Sequence, residues 1–202
     1  MKNTNIQAIS LFSGAGGLDL GCLLNGIEIK VSMDFDNDSI ETLKKAHSKE
    51  YINKIKNKTL DDLGQKKIGF PLNDSVVQRS FVATGGTVLA SKLAIDFGLA
   101  CNTAGGSHHA SFDQGAGYCV FNDVAVATRY LQNKGYAKRI LILDLDVHQG
   151  NGTADIFKND SEVFTFSMHC KSNYPAKKSI SDIDVELKLP VAQVIKVTNG
   201  VM

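Results

Sequence analysis

Residues 139–148 read RILILDLDVH, and this stretch carries the strongest fold signal in the chain. Its aliphatic run is typical of a central strand that is buried on both faces of a parallel sheet. Asp144, Asp146 and His148 follow at its carboxyl end. Because α/β sheets bind ligands beyond the carboxyl ends of their parallel strands, the segment predicts an α/β fold with a functional site at this rim.

Strands and helices alternate on both sides of this segment, which indicates a mainly parallel sheet. Apolar runs predict strands over residues 6–12, 27–33 and 163–167, and apolar periodicity predicts helices over 18–24, 39–47 and 122–133. The lysine-rich residues 51–67 indicate a solvated helix and loop. The small and apolar residues from Ser75 to Leu99 predict a helix that begins after Gly85-Gly86 or packs closely at these glycines.

Composition excludes several classes of protein. The 202 residues are 43% hydrophobic and carry a formal net charge of +1, which gives no general attraction to nucleic acid or anionic membranes. This length fits one globular domain or two small ones. The four cysteines form no C-x-x-C pair, so zinc-ribbon and thioredoxin-like motifs are excluded. Because no signal-peptide pattern or long apolar run is present, we expect a cytoplasmic protein that does not bind membranes.

The D-x-D-x-H pattern after the predicted strand suits a divalent metal. Side chains alternate along a strand, so Asp144, Asp146 and His148 begin on one face, and the following loop can turn them toward one point. Carboxylate and imidazole groups are ligands of divalent transition metals, zinc first, with water completing the shell. The alternative is that these are solvated loop residues at a strand end.

A second candidate is the histidine pair, His108 and His109, within GGSHHA at residues 105–110. Adjacent side chains cannot both face the core from a regular element, so at least one is expected to face a cleft. Neutral histidine is a natural general base near pH 7, and a buried carboxylate such as Asp144 could orient it. The alternative is a turn or an incidental metal-binding pair.

The segment GAGYCVFND at residues 115–123 combines a glycine turn, an aromatic residue and a helix cap. Asn122 or Asp123 is the expected N-cap of the helix that follows. Tyr118 is a candidate binding residue, and a position in the core is the alternative.

Four ordered motifs resemble the signatures of the histone deacetylase family, including its acetoin-utilisation and bacterial deacetylase-like members. They are GGSHHA (105–110), GAGYCVFNDVAVA (115–127), LILDLDVHQGNGTADIF (141–157) and VFTFSMH (163–169). The resemblance extends over about residues 47–189, from HSKEYI to just beyond SDIDVEL. It implies an arginase-like, three-layer αβα fold with a mainly parallel sheet, a zinc ion and hydrolysis of acetyl-lysine amides.

The resemblance also implies roles for individual residues. Asp146 and His148 match two of the family's three zinc ligands. His108 and His109 match its paired general acid/base histidines, and Asp144 matches the carboxylate that orients the first histidine.

Two tyrosines correspond to walls of the family's acyl-lysine tunnel, Tyr118 on one side and Tyr174 on the opposite side. Asn151, where many members have Asp, is similar to the class IV and bacterial branch. The resemblance further implies zinc as cofactor, potassium as a second family ion, and an acetyl-lysine protein or an acetylated small molecule as substrate.

The family's third zinc ligand and its oxyanion-stabilising Tyr belong to later segments that have no counterpart in these 202 residues. Loss of one such donor commonly lowers the rate by on the order of a hundredfold or more. We therefore expect a truncated domain that is either active with a substitute third ligand or catalytically incomplete.

The first residues resemble a different family. AISLFSGAGGLDLG (8–21) followed by GIEIKVSMDFDNDSIETL (26–43) is similar to the first motif of DNA cytosine-5 methyltransferases. There a glycine turn approaches S-adenosylmethionine and an acidic residue holds the ribose. The matching positions are Phe12, Gly14, Gly16, Gly17 and Asp34. The alternative function is a fragment that binds S-adenosylmethionine, with DNA as partner, although the family's Pro-Cys nucleophile is absent; an ordinary Rossmann-like turn is a further alternative.

These signatures predict three segments. Residues 1–45 form a methyltransferase-like fragment with a Rossmann-like βαβ unit, residues 46–190 a partial histone deacetylase-like domain, and residues 191–202 a tail. Their junction predicts a fused or truncated gene product, and a non-catalytic remnant that binds acyl-lysine or a partner is an alternative to an enzyme. A parallel sheet without its later strands exposes an unpaired edge, so we also expect self-association.

Overall fold

The computed structural model describes residues 7–11, 28–33 and 37–188, with side chains described from residue 42 onward. Its elements are, in chain order, β1 (Gln7–Leu11), β2 (Glu28–Met33), α1 (Asn37–Ala46), α2 (Lys49–Lys56), α3 (Asp62–Ile68), α4 (Asp74–Phe97), α5 (Asp123–Asn133), β3 (Ile140–Asp144), α6 (Asn151–Phe157), β4 (Val163–Cys170) and β5 (Ile183–Leu187). In this described part, five helices follow one another between β2 and β3, and a strand, a helix and a strand alternate only from β3 to β4.

The strands β1 and β2 form a two-stranded parallel sheet, in which Ser10 lies beside Ser32. Both strands lie within the ranges predicted for them, and their parallel pairing agrees with the predicted βαβ-like unit. Several other predicted features lie outside the described residues: Phe12, Gly14, Gly16, Gly17, Asp34, the helix over 18–24 and the tail over 191–202.

A second sheet contains β3, β4 and β5 in that order, with parallel pairing throughout. Asp144 at the end of β3 lies beside Ser167 of β4. Parallel neighbours need a crossover connection, and α6 lies in the one between β3 and β4. The sheet confirms the predicted α/β class and brings the polar residues after β3 to its carboxyl rim.

The two faces of this sheet differ in burial. Ile142 and Val163 pack in the main core, whereas Leu141 and Leu143 are 63% and 58% exposed. Phe164 lies beside Leu141 and is 45% exposed. The expectation that β3 is buried on both faces is wrong for the described part of the chain, because the described helices cover one face of the sheet and leave its other face open.

The main core joins the helices to the covered face of the sheet. Tyr51, Ile55 and Ile68 are buried members of it, and Tyr51 donates a hydrogen bond to the carbonyl oxygen of Val120 at 2.7 Å. The prediction that residues 51–67 are a solvated helix and loop is therefore incomplete, because this segment also contributes side chains to the core. Tyr51 and Ile55 are four residues apart, so one face of α2 enters the core while its lysines remain in solvent.

Side-chain caps begin four of the helices. In each case an oxygen of the cap accepts the backbone N–H of the third residue that follows, which satisfies a donor that has no partner within the helix. The caps are Ser48, Asp61, Asn73 and Asn122. Asn122 is therefore confirmed as the N-cap of α5.

The long helix α4 continues without interruption from Asp74 to Phe97. It passes through Gly85 and Gly86, so the predicted start after these glycines is wrong. Gly86 is buried, whereas a Cβ added to Gly85 would meet no atom within 4 Å. Even with α4 included, the described residues contain no helix with the length and apolarity needed to cross a membrane.

His47 is a fully buried imidazole within the core. Its ring centroid lies 5.8 Å from that of Tyr51 and 5.4 Å from that of Phe121, and its Nε2 accepts the backbone N–H of Asn122 at 2.9 Å. Burial lowers the pKa of His47 to about 4, although hydrogen bonds with neighbouring backbone groups act in the opposite direction. His47 is therefore neutral in the native state at neutral pH.

Lowering the pH from about 7 to about 4 is expected to reduce the free energy of unfolding by about 3 kcal/mol through His47. Unfolding returns its pKa from about 4 to 6.5, so the unfolded state binds the proton first and stability falls as the pH drops through this window. Urea unfolding at both pH values measures the change. His47→Gln retains an acceptor for the Asn122 N–H without the titration and should lose about 3 kcal/mol less; equal losses in the two proteins would contradict this role.

Candidate active site

The histidine pair lies beside the polar residues that follow β3. His108 Nδ1 is 2.6 Å from Asp144 Oδ2, and His109 Nδ1 is 2.8 Å from Asn151 Oδ1. Both partners are oxygen acceptors, so each Nδ1 carries the proton and donates it, which leaves each Nε2 with its lone pair. The structure thus brings the glycine-rich loop over 105–110 to the carboxyl end of β3.

The predicted polar residues converge on one side of this loop. The two imidazoles of the pair have ring centroids 4.1 Å apart, and His108 Nε2 lies 3.9 Å from Asp146 Oδ1. The ring centroids of His109 and His148 are 5.9 Å apart. The side chain of His108 is 12% exposed, compared with 52% for Asp146 and 39% for His148. The histidine pair therefore lies deeper, while Asp146 and His148 face the open side.

Burial and neighbouring charges move the pKa values of the histidine pair in opposite directions. Burial alone would lower the pKa of His108, but the hydrogen bond and charge of Asp144, with smaller contributions from Asp146 and Asp123, raise it above its ordinary value. Burial and a positive charge on His108 lower the pKa of His109 to about 4. His109 is therefore neutral at pH 7, and His108 is the member of the pair that binds a proton more readily.

Asp146 and His148 form a donor pair that suits a metal ion. Asp146 Oδ1 accepts the backbone N–H of His148 at 2.8 Å and lies 3.1 Å from its Nδ1. Two ligands of one tetrahedral zinc ion, with bonds of about 2.0–2.1 Å, lie roughly 3.3 Å apart. The donor types and their separation therefore fit two positions of a zinc site. Among the residues that the structure describes, no group of three or more His, Cys, Asp or Glu is arranged to hold a metal.

Two glycines allow the chain after β3 to pass close to the histidine pair. A Cβ at Gly150 would collide with the carboxylate of Asp144 and lie 3.2 Å from His108 Nδ1. A Cβ at Gly152 would lie 2.5 Å from the carbonyl carbon of His109. The absence of a side chain at both positions is therefore what lets the loop, α6 and the pair approach one another.

Gln149 holds the loop after β3 against the segment that leads into β5. Its buried side chain donates to the carbonyl oxygen of Ser179 at 2.8 Å and to Asp184 Oδ1 at 2.9 Å, and it accepts the N–H of Ser179 at 2.8 Å. These bonds fix the backbone next to His148. Neither Gln149 nor Gly150 was predicted from the sequence as part of the site. The available signal was a polar residue inside the glycine-rich HQGNG stretch.

The two predicted tunnel tyrosines lie in different surroundings. The ring centroid of Tyr174 is 4.8 Å from that of His109 and 6.2 Å from that of His148, and Tyr174 is 41% exposed. Tyr118 is 74% exposed, with its ring centroid 6.1 Å from that of Phe70. Tyr174 is thus in contact with the site, while Tyr118 occupies a more open position beside Phe70.

The backbone of Tyr118 lies in the left-handed region, with φ of 65°. Its N–H donates to the carbonyl oxygen of Ile68 at 2.6 Å, and the N–H of Gly117 donates to that of Lys67 at 3.1 Å. These bonds satisfy two carbonyl groups at the end of α3. A side chain in this backbone region costs on the order of 1–3 kcal/mol, and such strain clusters at ligand-contacting positions.

Comparisons with known proteins show the family of this chain. The family model of the histone deacetylase domain matches residues 21–198. An uncharacterized protein of Picosynechococcus sp. is 52% identical over 145 residues, which cover 72% of this chain and 48% of that protein. Histone deacetylase 2 of Arabidopsis thaliana is 32% identical over 143 residues, which cover 64% of this chain and 35% of that protein.

A solved structure extends the likeness to the fold. The crystal structure of an HDAC homolog from Aquifex aeolicus is 28% identical in sequence and superposes with a TM-score of 0.65. The match covers 81% of this chain and 48% of that chain. This chain spans about half or less of the length of these relatives. The family match starts at residue 21, ahead of the expected residue 47, and so overlaps residues 21–45 of the predicted methyltransferase-like fragment. On the match over residues 21–198, this chain belongs to the histone deacetylase domain family.

Proposed function

We propose that the site hydrolyses acetyl-lysine amides with the assistance of a bound zinc ion. The observation that carries this proposal is the convergence of the histidine pair, each member bonded through Nδ1 to an oxygen acceptor, on Asp146 and His148 at the rim of the sheet. A base, a group that orients it and metal donors within reach of one another are the parts that metal-assisted amide hydrolysis requires.

Asp146 and His148 would hold the zinc ion. When bound there, zinc supplies a Lewis acid for the acyl carbonyl and a water of lowered pKa. The partial exposure of both side chains leaves room for a substrate carbonyl and for ligands from elsewhere. A catalytic zinc takes three protein ligands in the common arrangements, so the proposal requires one more donor than this pair.

His109 is the proposed base. Its Nδ1 donates to Asn151 Oδ1, so Nε2 keeps the lone pair that can accept a proton from water. Asn151 provides an amide oxygen here, which orients the ring without adding a negative charge.

His108 is the second member of the acid/base pair. Asp144 holds its Nδ1 proton and thereby aims Nε2 toward the side where Asp146 lies. A protonated His108 would donate to the departing lysine amine, since a neutral amine leaves more readily than its anion. The assignment of base and acid follows the different partners of the two rings, an amide for His109 and a carboxylate for His108.

The proposed substrate is an acetyl-lysine protein or an acetylated small molecule. Tyr174, which contacts His109 through its ring, would line one side of the acyl chain. Tyr118 would form the other wall at the outer end, where its exposed ring lies beside Phe70. Aromatic walls suit the apolar methylene chain of a lysine once its charge has been removed by acetylation.

Zinc titration of the chain tests the ligand assignment. We expect Asp146→Ala to weaken zinc binding by at least roughly tenfold, since even residues that only orient a ligand change affinity by about 10- to 100-fold. The matched control is Asp155→Ala, which removes an exposed carboxylate on α6. Equal zinc affinity in the unmodified chain, Asp146→Ala and Asp155→Ala would contradict the proposed zinc site. The proposed function also predicts that the chain releases acetate from an acetyl-lysine peptide and that release stops when zinc is chelated.

We also propose that the chain associates with itself. Leu141, Leu143, Phe164 and Ile183 form an apolar strip on the open face of the second sheet, and each is at least 45% exposed. Contiguous apolar surface of this kind favours association. A monodisperse monomer in size-exclusion chromatography would contradict this proposal.

The finer family features are proposals as well. They are a potassium ion, membership of the acetoin-utilisation branch, a cytoplasmic location, a fused gene, and the boundaries 1–45, 46–190 and 191–202. The S-adenosylmethionine alternative concerns Asp34 and the glycine-rich residues 14–17 before it. Loss of S-adenosylmethionine binding in Asp34→Ala would support that alternative, and absence of binding by the unmodified chain would contradict it.

A further inference from the structure

Two adjacent residues at the start of α5 bond to the backbone on both sides of the histidine pair. Asn122 and Asp123 are 0% and 1% exposed. An N-cap and an acidic residue in the first turn are ordinary helix features, and they account for the bond from Ala125 N–H to Asn122 Oδ1. They do not account for the other bonds of these two side chains, which leave the helix.

The carboxylate of Asp123 holds the backbone that precedes the pair. Its Oδ1 accepts the N–H of Ser107 at 2.7 Å, and its Oδ2 accepts the N–H of Gly106 at 3.0 Å. The same Oδ2 accepts the hydroxyl of Thr87 at 2.5 Å. Buried hydrogen bonds to a charged acceptor are stronger than those between neutral groups, so this carboxylate fixes the two residues directly before His108.

Thr87 connects this carboxylate to α4. Because its hydroxyl hydrogen is donated to Asp123, its oxygen is free to accept, and Asn102 Nδ2 donates to it at 2.8 Å. A Cβ at Gly105 would lie 2.6 Å from Asp123 Oδ2 and 2.7 Å from Thr87 Oγ1. The glycine is therefore needed for the loop to reach the carboxylate at all.

Asn122 holds the backbone that follows the pair. Its Nδ2 donates to the carbonyl oxygen of Ala110 at 3.1 Å and to Thr153 Oγ1 at 3.0 Å. The N–H of Thr153 in turn donates to the carbonyl oxygen of His108 at 3.1 Å. The backbone around the histidine pair is thus anchored on one side by Asp123 and on the other by Asn122.

We infer that Asp123 is a positioning residue for the histidine pair, acting through the N–H groups of Gly106 and Ser107. It forms no hydrogen bond with either imidazole, so its main effect on catalysis is through the geometry of the loop, beside the small electrostatic contribution of its charge at His108. The catalytic consequence rests on the proposed function, whereas the anchoring of the loop does not. Small displacements of catalytic groups lower turnover strongly, which makes the anchor of a flexible glycine-rich loop a determinant of rate.

Amide hydrogen exchange and steady-state kinetics together test this inference. In Asp123→Ala the exchange rates of the Gly106 and Ser107 amides should rise at least roughly tenfold, beyond any change in the amides of α5. With an acetyl-lysine peptide and added zinc, kcat should fall at least roughly tenfold while KM changes by less than about threefold. Asp123→Asn retains one acceptor oxygen and should restore a large part of the protection.

Asp160→Ala is the matched control. Asp160 also accepts a backbone N–H, that of Glu162 at 2.9 Å, and pairs with Arg129. It lies beyond the carboxyl end of α6, whereas Gly152 lies at the amino end, beside the histidine pair. The Asp160→Ala change should leave amide exchange at Gly106 and Ser107 unchanged.

The outcomes separate this inference from the proposed function. Exchange in Asp123→Ala that rises equally at all amides, or a kcat per folded molecule equal to that of the unmodified chain, would overturn it. If the unmodified chain releases no acetate, the proposed function fails, and exchange at Gly106 and Ser107 alone then decides whether Asp123 anchors the loop.

Discussion

Replacing His109 by alanine is expected to lower the turnover of an acetyl-lysine peptide by roughly 100- to 10,000-fold. The ring donates from Nδ1 to Asn151 Oδ1, which leaves Nε2 as the proton acceptor, and alanine offers no group in its place. The measurement is the initial rate of acetate release by the zinc-loaded protein.

Zinc affinity distinguishes loss of a base from loss of a metal ligand. Asp146 and His148 remain in His109→Ala, so its zinc affinity should equal that of the unmodified chain. Free imidazole should restore part of the turnover, because it can occupy the space that the ring leaves. Turnover within tenfold of the unmodified chain, or a loss of zinc affinity that parallels the loss of turnover, would contradict the role of His109 as base.

Replacing Gly152 by alanine is expected to lower the free energy of unfolding by about 3 kcal/mol, the upper part of the usual range for overpacking. The added Cβ would lie 2.5 Å from the carbonyl carbon of His109 and against the carbonyl group of Ala110. Both neighbours are backbone atoms, so they cannot move aside as a flexible side chain would. Relief of the clash must displace α6 or the histidine pair, and turnover should fall as well.

Gly85→Ala is the matched control for Gly152→Ala. Gly85 lies within α4, and a Cβ there would meet no atom within 4 Å. Alanine is a better helix former, so this change should raise the free energy of unfolding by roughly 0.5–1 kcal/mol. Urea unfolding of both variants measures the two changes; a destabilisation by Gly152→Ala no larger than about 0.5 kcal/mol would contradict the close approach.

The sequence was sufficient to predict the rim of the sheet. The aliphatic run of β3 is a local signal, and the rule that ligands bind at the carboxyl ends of parallel strands then directs attention to Asp144, Asp146 and His148. The residues alone leave the approach of His108 to Asp144 as one option, and the resemblance to the deacetylase family implies it. The placement of the rim needs only a local apolar pattern and the general rule for parallel sheets.

Burial on the far face of β3 could not be predicted in the same way. Leu141 and Leu143 have the same apolar character as Ile142, and only the elements that lie against the strand decide which of them is covered. The role of Gly85 also depends on context, because a glycine within a helical pattern is compatible with a continuous helix when tertiary packing supports it.

Asp123 shows the same limit at the site. A carboxylate in the first turn of a helix is explained by the helix dipole, so the sequence does not predict a second role for Asp123. Its bonds to Gly106 and Ser107 join positions that are 16 or 17 residues apart, and they become visible only when the loop is folded against α5. Gly105 supplied the available signal, a glycine at a point of close approach.

The most direct test of the proposed metal-dependent deacetylase centre is acetate release from an acetyl-lysine peptide by the unmodified chain and by His148→Ala, each with added zinc and after chelation. Asp155→Ala, which alters an exposed carboxylate of α6, serves as the control. We predict that acetate release requires zinc, persists in Asp155→Ala and is lost in His148→Ala. Release that continues without zinc, or proceeds equally fast in His148→Ala, would contradict the proposed metal-dependent deacetylase centre.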